Sequence, residues 1–190
     1  MTGRSDGTVC RSDASGCRSG RRRERGATLV EASIALFLLI VVTMGIAELG
    51  LAFKDWLTVS HGAREGARAG ATYADNPHAD IEILRAVDGD LAVANANALN
   101  YVRVFNPSTG VGTTYTRAAG TCGWSPCPDP DDPGYITPTW PPSSRDVTAP
   151  VTDRLGVEVG YTHTWLTGLF RSTSNFTVHV VYQIEPQLFQ

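Results

Sequence analysis

Few side chains in this 190-residue chain are placed to do chemistry. The one whose position asks for an explanation is Glu31, in R-R-R-E-R-G-A-T-L-V-E, at the head of a long apolar run. A carboxylate at the edge of such a run is costly unless it is paired. Cutting the chain after Gly26 would supply the partner. It would leave a free ammonium at Ala27 and make Glu31 the fifth residue of the product, able to neutralise the amine of a neighbouring subunit. A glycine before the scissile bond suits a peptidase that needs an extended, unhindered backbone there. The expected chemistry is therefore done to the chain and not by it. The plainer reading makes Gly26 a flexible join and Glu31 an interfacial carboxylate.

The other reactive side chains offer less. Cys122 and Cys127 stand as C-G-W-S-P-C in a Gly/Pro-rich stretch, the spacing of a short structural disulfide; a redox C-x-x-C is absent. Cys10 and Cys17 precede the apolar run and would face a reducing cytoplasm. Strand alternation puts His163 on an apolar face and His179 on a polar one, so the two are not expected to share a metal. His61 and His78 have no partner at metal-site spacing. Asp129, Asp131 and Asp132 could contribute to a Ca²⁺ site, but they lack the EF-hand spacing, and their prolines favour a solvated acidic loop. No nucleotide-binding, hydrolase or zinc-protease motif occurs. No catalytic residue, metal or cofactor is expected, and the chain is not expected to be an enzyme.

The elements that position Glu31 follow from charge and length. Residues 1–26 hold seven Arg and three acids; residues 27–190 hold nine basic and sixteen acidic residues. The excess positive charge lies wholly before the apolar run, so that end is expected to stay cytoplasmic. The acidic remainder argues against nucleic-acid binding. Between Glu31 and Glu48 the sixteen uncharged residues Ala32 to Ala47 span roughly 24 Å, and the window Ala27–Phe53, free of basic residues, roughly 40 Å. The segment can cross a hydrocarbon core of about 30 Å if Glu31 or Glu48 lies at an interface or is neutralised. Glu48 reads as a carboxylate at the outer interface, with Trp56 as a belt residue, or else as the partner of a cation on another protein. Three readings of the segment compete: a signal peptide cut after Ala52, a plain signal anchor, and a prepilin-like segment cut after Gly26. Only the third accounts for Glu31.

The stretch from Arg25 to about Ala71 resembles the N-terminal region of the TadE/TadG-like family of the Tad (Flp-type) pilus machinery. The matching residues are Arg25-Gly26, Val30-Glu31, the Leu/Ile/Val run, Gly45–Gly50 (GIAELG) and Ala63–Ala71 (AREGARAGA). The resemblance implies a pseudopilin or minor pilin in a bacterial cell membrane, crossing once, with its C-terminal domain extracytoplasmic. It implies a structural role in filament assembly for adhesion or secretion. The implied partners are the lipid bilayer, other Tad pilus subunits with their assembly platform, and a prepilin peptidase; nucleic acid is not among them. Many members carry a mid-helix proline where Phe37 stands here, which implies a straighter helix. The alternative is a single-pass membrane protein whose external domain binds a partner without entering a filament.

Beyond the apolar run, Gly62, Gly66 and Gly70 recur every four residues, as do Ala63, Ala67 and Ala71. On a helix this makes one smooth stripe that lets another backbone come close. Packing against the protein's own sheet is the first expectation, and contact between subunits the second. Asn76-Pro77 is expected to start a second helix, with Asn as N-cap and Pro at the first helical position; Ile83, Leu84, Val87 and Leu91 follow with helical spacing, and Ala92–Asn100 weakens its end. Tyr101–Phe105 and the alternating stretches 154–164 and 175–185 read as strands, joined in the last case by a hairpin loop at Trp165–Ser174. Residues 107–150 read as loop. The fold expected is α+β and pilin-like: a basic leader at 1–26, a transmembrane and extended helix at 27–72, and at 73–190 a domain with a short second helix and a small antiparallel sheet.

Overall fold

The computed structural model describes residues 20–91, 98–168 and 171–186. Most of the leader, with Cys10 and Cys17, and residues 92–97 of the Asn/Ala-rich stretch lie outside them. The chain divides into two units, one ending at Ala47 and the other starting at Glu48.

The first unit is helical throughout its described residues. It holds the start of α1, a helix over Gly20–Tyr73 with no break at Phe37. From Gly26 to Ala47 every side chain but Gly45 is exposed, including Leu36, Phe37, Leu39 and Ile46. A helix that is apolar on all sides and unburied is suited to lipid and not to water. The helix from Gly26 is long and apolar enough to cross a membrane.

The second unit is a layer of helix on a five-stranded antiparallel sheet. Its elements are α1 from Glu48 to Tyr73, α2 (Ala79–Leu91), β1 (Leu99–Phe105), β2 (Gly112–Arg117), β3 (Trp124–Ser125), β4 (Arg154–Thr164) and β5 (Thr173–Gln183). The sheet order is β3-β2-β1-β4-β5. β4 and β5 pair along their whole length, from Arg154 opposite Gln183 to Thr164 opposite Thr173. Period-2 alternation sets the faces. Val102, Val104, Tyr115, Leu155, Val157, Val159 and Tyr161 are buried on one face, beneath Val59, Ala63, Ala67, Ile83, Leu84 and Val87 of the helices. On the other face β1 lays aromatic rings over β4 glycines. A Cβ at Gly156 would lie 2.5 Å from Phe105, and one at Gly160 2.3 Å from Tyr101. These two glycines make room for rings that cover the sheet where no helix does.

Three sequence expectations are corrected. Residues 107–150 are not all loop, because β2 and β3 lie within them. Thr113 and Tyr115 of β2 are buried and alternate with exposed Thr114 and Thr116, a strand pattern hidden by its Gly- and Pro-rich surroundings. The second helix begins at Ala79 and not at Pro77. Asn76 still heads it, but through a turn: its side-chain oxygen accepts the His78 N–H (2.9 Å) and its carbonyl the Ala79 N–H (2.8 Å). Finally, Gly62 and Gly66 pack against α2 and not against the sheet.

α1 stops where Ala74 turns left-handed, at φ 47°. Its N–H bonds the Gly70 carbonyl (2.9 Å), closing the last turn, and its own carbonyl accepts from buried Arg145 (3.2 Å). From there β4 runs back alongside α1. Leu155 lies against Gly70, His163 meets Asp55, and the residues after β4 reach Glu48. The lengths agree: fifteen helical steps cover about 22 Å and eight strand steps about 26 Å.

Candidate functional site

Gly26, Ala27 and Glu31 lie on the exposed surface of α1, and Ala27 and Glu31 are one turn apart on the same face. Gly26 has no neighbour within 4 Å of where its Cβ would be. The bond after it is accessible, but it lies inside helix, so a peptidase that takes an extended strand has to unwind a turn there.

At the glycine ladder α1 comes close to α2. A Cβ on Gly66 would sit 2.5 Å from Val87 Cγ2, and one on Gly62 3.3 Å from the Val87 carbonyl oxygen. One on Gly70 would sit 2.8 Å from both Ile83 Cδ1 and Leu155 Cδ2. The stripe is thus filled by the chain's own α2 and by Leu155. Arg64 and Arg68 stay exposed, while His61 binds Asp90 of α2 (2.8 Å).

Glu48 is 6% exposed although it follows directly on the apolar run. Its carboxylate accepts the backbone N–H of Leu166 (3.2 Å) and of Thr167, both from the turn between β4 and β5. Its oxygens are therefore engaged inside the domain. Two helical turns on, Asp55 accepts from His163 Nδ1 (2.7 Å). His163 is buried edge-on against Trp165, and its Nε2 has no hydrogen-bond partner among the described residues. Glu48 and Asp55 together hold the end of the β4–β5 hairpin to α1.

Two polar clusters bring together residues far apart in sequence. Arg145 and Asp80 form an ion pair with side chains 0% and 2% exposed; Tyr115 donates to the same carboxylate (2.6 Å), and Trp140 stacks on the guanidinium at 4.9 Å. Burial, and then the Asp80 charge, hold the Tyr115 hydroxyl far above its ordinary pKa, so it stays a donor. The cluster fastens the Pro-rich stretch around 140–145 to α2 and β2. The second cluster is His78, Asp129 and Asp131, which offer one ligand atom each within 4.8 Å of one another. Imidazole with two carboxylates fits zinc or another transition metal better than calcium. The groups are partly or wholly exposed, however, and Arg85 already lies 3.6 Å from Asp129. His78 has a neighbour that local spacing did not reveal, because it comes from 53 residues away.

Cys122 and Cys127 are joined in a disulfide beside β3. Next to them Asp132 accepts from the Thr121 hydroxyl and the Gly134 N–H (2.8 Å), the hydroxyl being the larger cause of a carboxyl held below its usual range. None of these groups makes a nucleophile–base pair. What the described residues form is a helix long and apolar enough to cross a membrane, whose part from Glu48 onward is held within a small domain by Glu48, Asp55 and the glycine ladder.

Comparison with known families finds a likeness confined to that helix. Residues 26–68 match the family model TadE, described as TadE-like protein. The match takes in Gly26, Glu31, Glu48, Gly62 and Gly66 and suggests a protein associated with the Tad pilus. No curated protein and no solved structure matches the chain significantly.

Proposed function

Residues 26–68 of this chain are TadE-like, and from that premise we propose that it is a pseudopilin or minor pilin of a Tad-type pilus. One observation carries the reading. The family match covers a single unbroken helix that is exposed and apolar up to Ala47, with Gly26 and Glu31 at its head. In this role the basic leader holds the N-terminus in the cytoplasm and the second unit lies across the membrane. A prepilin peptidase cuts after Gly26. In the assembly Glu31 of one subunit neutralises the new amine of its neighbour, because both would otherwise be buried charges without partners. The neighbours are other Tad subunits and the assembly platform, and the filament serves adhesion or secretion.

N-terminal sequencing of the membrane-extracted protein tests the processing step. The expected sequence begins Ala27-Thr28-Leu29, and Gly26→Leu should shift the protein to the longer form while leaving it inserted. Wild type and variant that both retain residues 1–26 would refute cleavage. A protein that is anchored but recovered free of any pilus subunit would support the alternative, a lone external binding domain.

A further inference from the structure

The geometry points to a second membrane contact, made by the turn that follows β4. Leu166 in that turn is 78% exposed, more than any other large apolar side chain among the described residues. Its position is set by bonds on both sides. Glu48 accepts its N–H and that of Thr167, the Trp165 N–H bonds the Ser172 carbonyl (3.0 Å), and Trp165 Nε1 donates to Ser174 (2.8 Å). The bonds fix the backbone of the turn, which leaves the Leu166 side chain outside the core.

The occupant is a lipid surface. Glu48, which holds the turn, is the first charged residue after the uncharged run 32–47. A helix crossing the bilayer leaves the hydrocarbon about there, since residues 27–47 already span roughly 31 Å. Around Glu48 the helix exposes Leu49 (64%), Phe53 (60%) and Trp56 (42%), while its first basic residue after the run is Lys54. That is the composition of an interface, apolar and aromatic before basic. A turn tied to Glu48 is held at the same depth. From Thr164 to Gly168 it carries no charge. Leu166 thus enters the boundary between headgroups and acyl chains, and the hairpin becomes a second foot beside α1. Glu48 is the positioning residue: it takes up the backbone N–H groups of Leu166 and Thr167 where the turn nears a medium poor in water.

The inference rests on the proposed membrane crossing of α1, so the test reads both. The full chain, with Cys10 and Cys17 changed to Ser and its disulfide intact, is placed in phosphatidylcholine/phosphatidylglycerol nanodiscs. A fluorophore is attached at one new cysteine: Leu166→Cys, Leu39→Cys in the apolar run, or Val151→Cys, a control 74% exposed at the start of the stretch leading into β4. Lipids spin-labelled near the headgroup or at mid-chain then quench it. The expected result is mid-chain quenching at 39 and headgroup-level quenching at 166 at least threefold stronger than at 151. Glu48→Ala should reduce the quenching at 166 at least twofold without moving that at 39. Quenching at 39 with 166 no different from 151 overturns the membrane foot and leaves the crossing intact. No quenching at 39 overturns the crossing, and the foot with it. Unchanged quenching at 166 in Glu48→Ala overturns the role given to Glu48.

Discussion

Gly66 and Gly89 are both helical glycines, yet replacing each by Ala should move stability in opposite directions. At Gly66 a Cβ would lie 2.5 Å from Val87 Cγ2, about 1 Å inside a comfortable carbon–carbon separation. Val87 is fully buried and, being β-branched in a helix, has essentially one rotamer, so it cannot swing away. The clash is relieved only by pushing α1 and α2 apart. Overpacking of this kind costs about 1–3 kcal/mol, against a gain of roughly 1 kcal/mol for removing a helical glycine. The net loss for Gly66→Ala is about 1 kcal/mol. Gly89 lies in α2 with nothing within 4 Å, so Gly89→Ala keeps the propensity gain, about 0.5–1 kcal/mol near a helix end. The variants should differ by roughly 2 kcal/mol, or about 6–8 °C in Tm for a domain of this size. Thermal unfolding in detergent micelles, followed by tryptophan fluorescence, reads this second unit without interference from the apolar run, because Trp56, Trp124, Trp140 and Trp165 all lie in it. If Gly66→Ala melts as high as Gly89→Ala, α1 and α2 are not in contact at the ladder, and the account of the glycine repeat is wrong.

Asp80→Ala should cost about 3–5 kcal/mol in urea unfolding, because it strands Arg145 as an unpaired buried charge, whereas Tyr115→Phe should cost only about 1–2 kcal/mol. Similar losses for the two would mean that the ion pair is hydrated. Replacing both Cys122 and Cys127 by Ser should cost about 2 kcal/mol by loop-closure entropy for so short a loop, and limited proteolysis should show faster cutting between Gly110 and Pro150 with the β4–β5 pair intact. Loss of the β4–β5 pair would contradict this. Asp132 has its carboxyl held below the ordinary range, so the bonds from Thr121 and Gly134 favour the folded loop above the unfolded-state pKa and lose that effect as pH falls through the folded one. Thr121→Val should move the Asp132 midpoint upward in an NMR titration, and an unmoved midpoint would show that the hydroxyl is not the cause.

What the sequence disclosed depended on how local each signal was. The apolar run, the i, i+4 glycines and the alternation in β4 and β5 are short-range patterns, and each marks its element within a few residues. β2 is hidden because its strand-forming Thr113–Thr116 core is short and lies in a stretch punctuated by Gly, Ser and Pro; its pairing with Val102–Phe105 is what shows it as a strand. The glycine ladder was legible as a packing surface but not in its partner, since nothing in the spacing of α1 tells α2 from the sheet. The contacts least visible in sequence are those between distant residues. Asp80 with Arg145, His78 with Asp131, Asp55 with His163, and Glu48 with the turn after β4 are separated by 53 to 118 residues. Glu48 shows the difference best. By sequence it is a carboxylate at an interface or a partner for another protein; in the fold its oxygens take up two N–H groups of its own domain.

The proposed role among neighbouring pilus subunits, exercised through the N-terminal helix, is tested most directly inside the cell. A photo-reactive amino acid at exposed position 37 of α1 is activated in cells making the pilus, and the adducts are identified by mass spectrometry. The expected adducts are to other Tad subunits or to further copies of this chain, and Glu31→Ala should abolish most of them while leaving the protein inserted. Adducts to lipid alone in the wild type, or subunit adducts that survive Glu31→Ala unchanged, would contradict the account.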